Sequence, residues 1–150
     1  MSLKAKLTHT NASLWSPLVL RVAIGAVFVA HGGQKLFGWW GGYGFQATAG
    51  FFNDKLGMHP GAFWAGLAGS GEFFGGVFLI LGLLTRLASL NTTVIMAVAI
   101  WTTHRGEFFL DKNGMEYALT LLAASLVLLE TGGGALSIDS KLGNGGAAKK

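Results

Sequence analysis

Apolar residues concentrate in four runs, at residues 17–38, 62–84, 87–104 and 116–132, separated by polar or glycine-rich breaks. None alternates with the period of two that a half-buried strand shows, and each is too long for a strand. About 20 helical residues cross a hydrocarbon core about 30 Å thick, so each run approaches one membrane span. The punctuation agrees with helices. Ser16-Pro17 is a cap and first-turn pair, Pro60 precedes the second run, and Gly132, Gly133 and Gly134 end the fourth. Thr85-Arg86 joins the second and third runs tightly, which makes them an antiparallel hairpin, and residues 111–114 read as a turn. The pattern predicts an all-α membrane protein, a single domain over residues 1–150 built as a bundle of four transmembrane helices. Residues 39–58 are glycine-rich and aromatic. They are expected to form an outer loop or, over residues 46–56, a short interfacial helix with Phe51 and Phe52 inward, as an anchor or a lid. Residues 133–150 are small and polar and read as a flexible tail.

Composition narrows the class. Charged residues make up 12% of the chain, against about 25% in soluble domains. A very apolar soluble domain is the weaker alternative, and disorder is excluded. The net charge of +4 rests on few, scattered residues, which argues against nucleic acid as a partner. Without cysteine there is no disulfide, no CxxC redox pair and no thiolate metal site. Seven basic residues flank the spans on one side (Lys4, Lys6, Arg21, Arg86, Lys141, Lys149, Lys150) and four on the other (Lys35, Lys55, Arg105, Lys112). The bias predicts a multi-pass protein of the cell inner membrane, surrounded by lipid, with both termini cytoplasmic. The first run is long, carries Arg21 and Lys35 and lacks a small-x-small cleavage site, so it is read as a retained span rather than a leader.

Polar residues inside spans are costly and usually face the bundle interior. At about 100° per residue, Arg21, Gly25, Phe28, Gly32 and Lys35 share one face of the first span, and His31 lies one turn before Lys35. In the second span Ala65, Gly69, Glu72 and Gly76 form a similar stripe. Small residues let helices approach closely, so these two faces are expected to meet. Counted inward from the outer ends, His31 lies about 10 Å deep, Glu72 about 15 Å and Lys35 about 5 Å, with Arg21 at about 25 Å. His104 ends the third span on the same outer side, with Trp101 one turn inside it. The spacing thus predicts an outer polar cluster of His31, Lys35, Glu72 and His104. Each also has a plainer role: Glu72 neutralising Arg21 or Lys35, Lys35 reaching the interface, the histidines hydrogen-bonding between helices, and Arg86 enforcing orientation. Asn91-Thr92-Thr93 matches a glycosylation sequon but reads as helix packing. Haem ligation by His31 and His104 is set aside, because both lie near one rim crowded by Lys and Glu. Zinc or copper would want a tighter histidine set, so no metal is expected.

These residues carry a family likeness. Arg21, His31-Gly32-x-x-Lys35, Glu72 with its glycines, and the Gly82-x-x-Thr85-Arg86 turn resemble the DoxX family of small bacterial and archaeal membrane proteins. The likeness runs from about Leu18 to Leu129. The resemblance implies four spans and a role near membrane redox chemistry. A relative, DoxD, is a subunit of thiosulfate:quinone oxidoreductase, and other members are linked to oxidant defence through partner proteins.

Three functions stay open at this point. In a quinone-linked oxidoreductase subunit, Phe28, Phe73, Phe74 and Trp101 would line a slot for the quinone. Lys35 and His104 would contact its head, His31 and Glu72 would exchange protons, and electrons would come from a partner protein or a bound substrate. No covalent cofactor is expected. In a non-catalytic scaffold, the glycine-rich faces would pack against another membrane protein or a second copy. In a small-solute or anion carrier, Lys35 and Arg21 would supply the attracting charge.

Overall fold

The computed structural model of the chain describes residues 7–144. It is helical throughout its ordered elements, with no strand among the described residues. Helix α1 (Ser16–Phe37) opens with Pro17 in its first turn and stops at Gly38, whose φ of 70° only glycine adopts without strain. Helix α2 (Gly44–Gly50) runs on into a π-helical turn, Phe51–Lys55. Helix α3 (Gly61–Leu81) follows Pro60 and ends at Gly82, and α4 (Thr85–Ala99) continues into a second π-helical turn, Ile100–His104. Helix α5 (Glu116–Thr131) and a short α6 (Ile138–Asn144) complete the described chain. Of these, α1 and α3 are long and apolar enough to cross a membrane.

The principal contact is α1 against α3. Glycine makes it possible. A Cβ on Gly25 would fall 2.8 Å from the Gly76 carbonyl oxygen, and one on Gly32 would fall 2.5 Å from the Phe73 amide nitrogen. The two backbones therefore touch along the stripes that the spacing picks out. Replacing Gly32 by valine is expected to force them apart and to lower stability in detergent by about 1–3 kcal/mol, the usual range for overpacking. Gly106→Ala, where a Cβ meets nothing within 4 Å, should leave the melting temperature unchanged.

The remaining core joins α4 and α5 to this pair through Phe28, Leu79, Met96, Leu121 and Leu128. Small polar residues line the α4–α5 seam, where Thr92 Oγ1 donates to Ser125 Oγ at 2.9 Å. Asn91 Nδ2 donates to the Gly71 carbonyl at 2.8 Å, so Asn91 serves helix packing. The exterior is apolar. Val19, Leu67, Val94 and Leu119, one from each of α1, α3, α4 and α5, are all exposed.

Two sequence expectations are corrected. The α3–α4 turn is Gly82–Leu84, and Thr85 and Arg86 belong to the first turn of α4 rather than to the link. The tail expected to be flexible from residue 133 is instead packed as far as the described residues go. Ala135, Ser137 and Asp139 are buried, and the Asp139 carboxylate accepts from the Leu84 and Thr85 amides, both at 2.8 Å. It caps the N-terminus of α4, where free N–H groups and the helix dipole favour an anion. Residues 145–150 of that tail, with Lys4, Lys6, Lys149 and Lys150 of the charge count, lie outside the described residues.

Candidate functional site

One ion pair joins the C-terminal end of α1 to the middle of α3. Lys35 extends from the last turn of α1 and meets Glu72 of α3, with Nζ at 2.5 Å from both carboxylate oxygens. Glu72 is 3% exposed and Lys35 33%, so the carboxylate is the buried partner. The close glycine contact of α1 and α3 sets Gly32 against Phe73 and Lys35 beside Gly69, so the lysine side chain reaches about one turn along α3 to Glu72. Thr48 of α2 covers the pair from outside, its hydroxyl bonded to Gly44 and, at 3.4 Å, to the Lys35 carbonyl.

Two cavities share Lys35, Glu72, Ala99 and His104 in their walls. The larger, about 480 Å³, lies between α3 and α4 beneath the α2 segment. Its walls are largely apolar, with Phe51, Phe52, Trp64 and Ile95 among them. The smaller, about 120 Å³, lies between α1, α4 and α5 and is walled by His31, Phe28 and Tyr117. The Lys35–Glu72 pair stands where the two cavities adjoin. A pocket that is mostly apolar with a few convergent polar groups is what a small organic ligand needs.

The structure therefore brings His31, Lys35, Glu72 and His104 around one small cavity, with Phe28 as its floor. His31 sits at an open edge, its ring centroid 6.0 Å from that of Tyr117. His104 Nδ1 lies 2.8 Å from the Asn113 carbonyl. Donation from Nδ1–H would leave Nε2 of a neutral ring as a proton acceptor.

Other expected ligand residues stand elsewhere. Trp101 is 70% exposed, with the Arg105 guanidinium 5.4 Å over its ring, and it lines neither cavity. The π-helical turn rotates it away from the face that His104 keeps. Phe73 also lines neither: its ring packs edge-on against Phe37 and Trp39, at 5.5 and 5.7 Å, on the side of α3 facing the end of α1. Phe74 is exposed. Tyr117 and Trp64 were not indicated by the spacing, because each lies beside the polar residues of its span rather than among them.

Arg21 does not reach Glu72. It is 1% exposed at the opposite end of α1, and carbonyl oxygens take up its whole guanidinium. Nε donates to Gly133, Nη1 to Leu79 and Ile80, and Nη2 to Ala135 and Leu136. Arg86 likewise binds backbone, the carbonyls of Leu129 and His9 at 2.6 and 3.2 Å.

Comparison with known proteins adds a family. A model described as DoxX matches residues 16–105, which include Arg21, His31, Lys35, Glu72 and His104. An uncharacterized membrane protein of Mycobacterium tuberculosis is 32% identical over 138 residues, covering 85% of this chain and 81% of its own. An uncharacterized protein of Haemophilus influenzae is also 32% identical, covering 81% of this chain and 87% of its own. A Bacillus subtilis protein named "Putative oxidoreductase CatD" is 30% identical over 122 residues, covering 81% and 83%. No solved structure matches to the same standard.

Proposed function

The chain belongs to the DoxX family of membrane proteins, and from that premise we propose that it is a quinone-linked subunit of a membrane oxidoreductase. It crosses the cell inner membrane four times, through α1, α3, α4 with its π turn, and α5, with both termini cytoplasmic. Exposed apolar side chains on all four helices support that count, and the bias of basic residues supports the orientation.

The observation that carries the reading is the Lys35–Glu72 pair standing between an apolar cavity and a small polar one. A quinone asks for an apolar slot around its ring, a donor at a carbonyl and a proton-exchanging group. Phe52, Trp64 and Ile95 fit the first requirement and Lys35 the second. Glu72 and the two histidines fit the third. Bound there, a quinone would supply two-electron, two-proton chemistry, with electrons drawn from a redox centre on a partner protein. Lys35 orients a carbonyl oxygen and supplies positive potential. Glu72, a carboxylate paired with Lys35, would relay protons to the bound head, and His31 and His104 would link it to the outer aqueous side.

Two observations weigh against the rival readings. The glycine faces that would serve a scaffold are occupied by the α1–α3 contact. Arg21, the inner charge of an anion carrier, is fully engaged by carbonyls. The name of the Bacillus subtilis relative points toward oxidoreduction. The test is purification from the native membrane, with mass spectrometry of small molecules and proteins that accompany the chain. Near-stoichiometric quinone is expected. A constant protein partner with no quinone would overturn the reading in favour of a scaffold.

A further inference from the structure

We propose that the ligand of the larger cavity enters sideways from the lipid, between the outer halves of α3 and α4, and that its apolar tail rests in that opening against Leu67, Val94 and Val98. The proposal rests on the quinone reading and narrows it to a tailed, membrane-dissolved quinone.

The two helices form a wedge. The Gly82–Leu84 turn joins them at the inner end. Contact continues outward through Gly75, where a Cβ would fall 2.9 Å from Asn91 Nδ2, to the Asn91–Gly71 hydrogen bond at 2.8 Å. Outward of that bond, residues of both helices line the cavity: Leu67 and Ala68 from α3, Val98 and Thr102 from α4. From the water side the cavity is roofed by Phe52, Leu56 and Met58.

Three wall residues also reach the exterior. Leu67 is 57% exposed, Val94 53% and Val98 45%. A residue that both lines the cavity and faces outward marks its mouth. Leu67 lies six residues inside the start of α3, and Val98 six residues inside His104, about 9 Å along either helix. An opening at that depth faces hydrocarbon rather than water. The charged end of the cavity, Lys35 and Glu72, lies opposite an apolar mouth. A ligand lying along this axis has a polar head and an apolar tail.

The test uses the full chain in lipid nanodiscs and two probes. One is 2,3-dimethoxy-5-methyl-1,4-benzoquinone, the head alone; the other is its decyl-tailed derivative. Val94→Trp and Leu67→Trp each fill the mouth, and Val22→Trp, on the exposed face of α1, is the control. Lipid is as apolar as the mouth, so the tail gains little from burial itself. An indole that fills the opening acts by clashing with the tail, and overpacking of that size is felt as about ten-fold or more in affinity. Either mouth variant should therefore weaken the tailed probe by about ten-fold or more. The head-only probe should change by less than about two-fold, and Val22→Trp should change neither. Two mouth positions guard against one variant failing to fold. Equal loss of both probes, or a tailed probe indifferent to both variants, would overturn lateral entry and leave the quinone reading standing. Binding of neither probe to the wild-type protein would overturn both.

Discussion

Arg21→Met is expected to lower the stability of the detergent-solubilised protein by about 3–5 kcal/mol, because a buried acceptor left without its donor costs about 1–3 kcal/mol and several lose theirs together. The side chain is 1% exposed, and every N–H direction of its guanidinium ends on a carbonyl oxygen. Two of those carbonyls, Leu79 and Ile80, belong to the last turn of α3, where the helix dipole is negative. The others belong to Gly133, Ala135 and Leu136. One cation therefore fastens α1, the end of α3 and the segment before α6. Methionine fills much of the volume but removes all five donors; the Leu79 carbonyl keeps the Gly82 amide at 3.0 Å, and the other four carbonyls lose their bond to the side chain. Lysine should recover only part of the loss, because an ammonium has three donors and no planar fork. Asp139→Ala removes the cap on α4 and should cost less, about 1 kcal/mol. Thermal unfolding ranks the variants, and limited proteolysis after residue 132 should rise most in Arg21→Met. An unchanged melting temperature would show that the carbonyl cage is incidental to stability.

The same arginine shows where sequence reading stops. Its face on α1 is legible, since the glycines at 25 and 32 fix which side meets α3, and helical rise alone sets His31 and Glu72 at similar depths, with Lys35 nearer the surface and able to reach down to Glu72. Its partner is not legible, because backbone carbonyls leave no mark on composition. Gly132, Gly133 and Gly134 read as a flexible stretch. In the fold, the positive φ of Gly132 and Gly134 turns the chain back, and a Cβ on Gly133 would meet Ser137 and Thr85. The π-helical turns are equally silent. In an α-helix Trp101 and His104 would point about 60° apart. At about 4.4 residues per turn the separation grows to about 115°, and Trp101 leaves the interior. The outer polar cluster was legible because ionisable side chains in apolar runs are rare enough to be noticed singly. Its apolar wall was not, because aromatic residues occur all along this chain and only their packing tells them apart.

Replacing Lys35 and Glu72 together by leucine separates a functional pair from a packing device. Lys35→Leu leaves the buried Glu72 carboxylate uncompensated and should cost about 3 kcal/mol or more. The carboxylate has the larger need, being 3% exposed against 33% for the ammonium. Lys35→Leu should therefore destabilise more than Glu72→Leu, whose lysine can turn outward. In the double variant no charge is left, and apolar replacement of a buried pair is often neutral or stabilising. The melting temperature should return to near the wild-type value, a coupling that a double-mutant cycle reads directly. Quinone content should not return. With both groups gone, the wall shared by the two cavities offers only His104 to a carbonyl, and His31 has no buried carboxylate with which to exchange a proton. Stability and ligand are thus expected to part company: Lys35→Leu low in both, the double high in stability and empty of quinone. A double variant that melts like the wild type and still carries quinone would reduce the pair to a solution for joining α1 to α3, with the ligand held by the apolar walls alone.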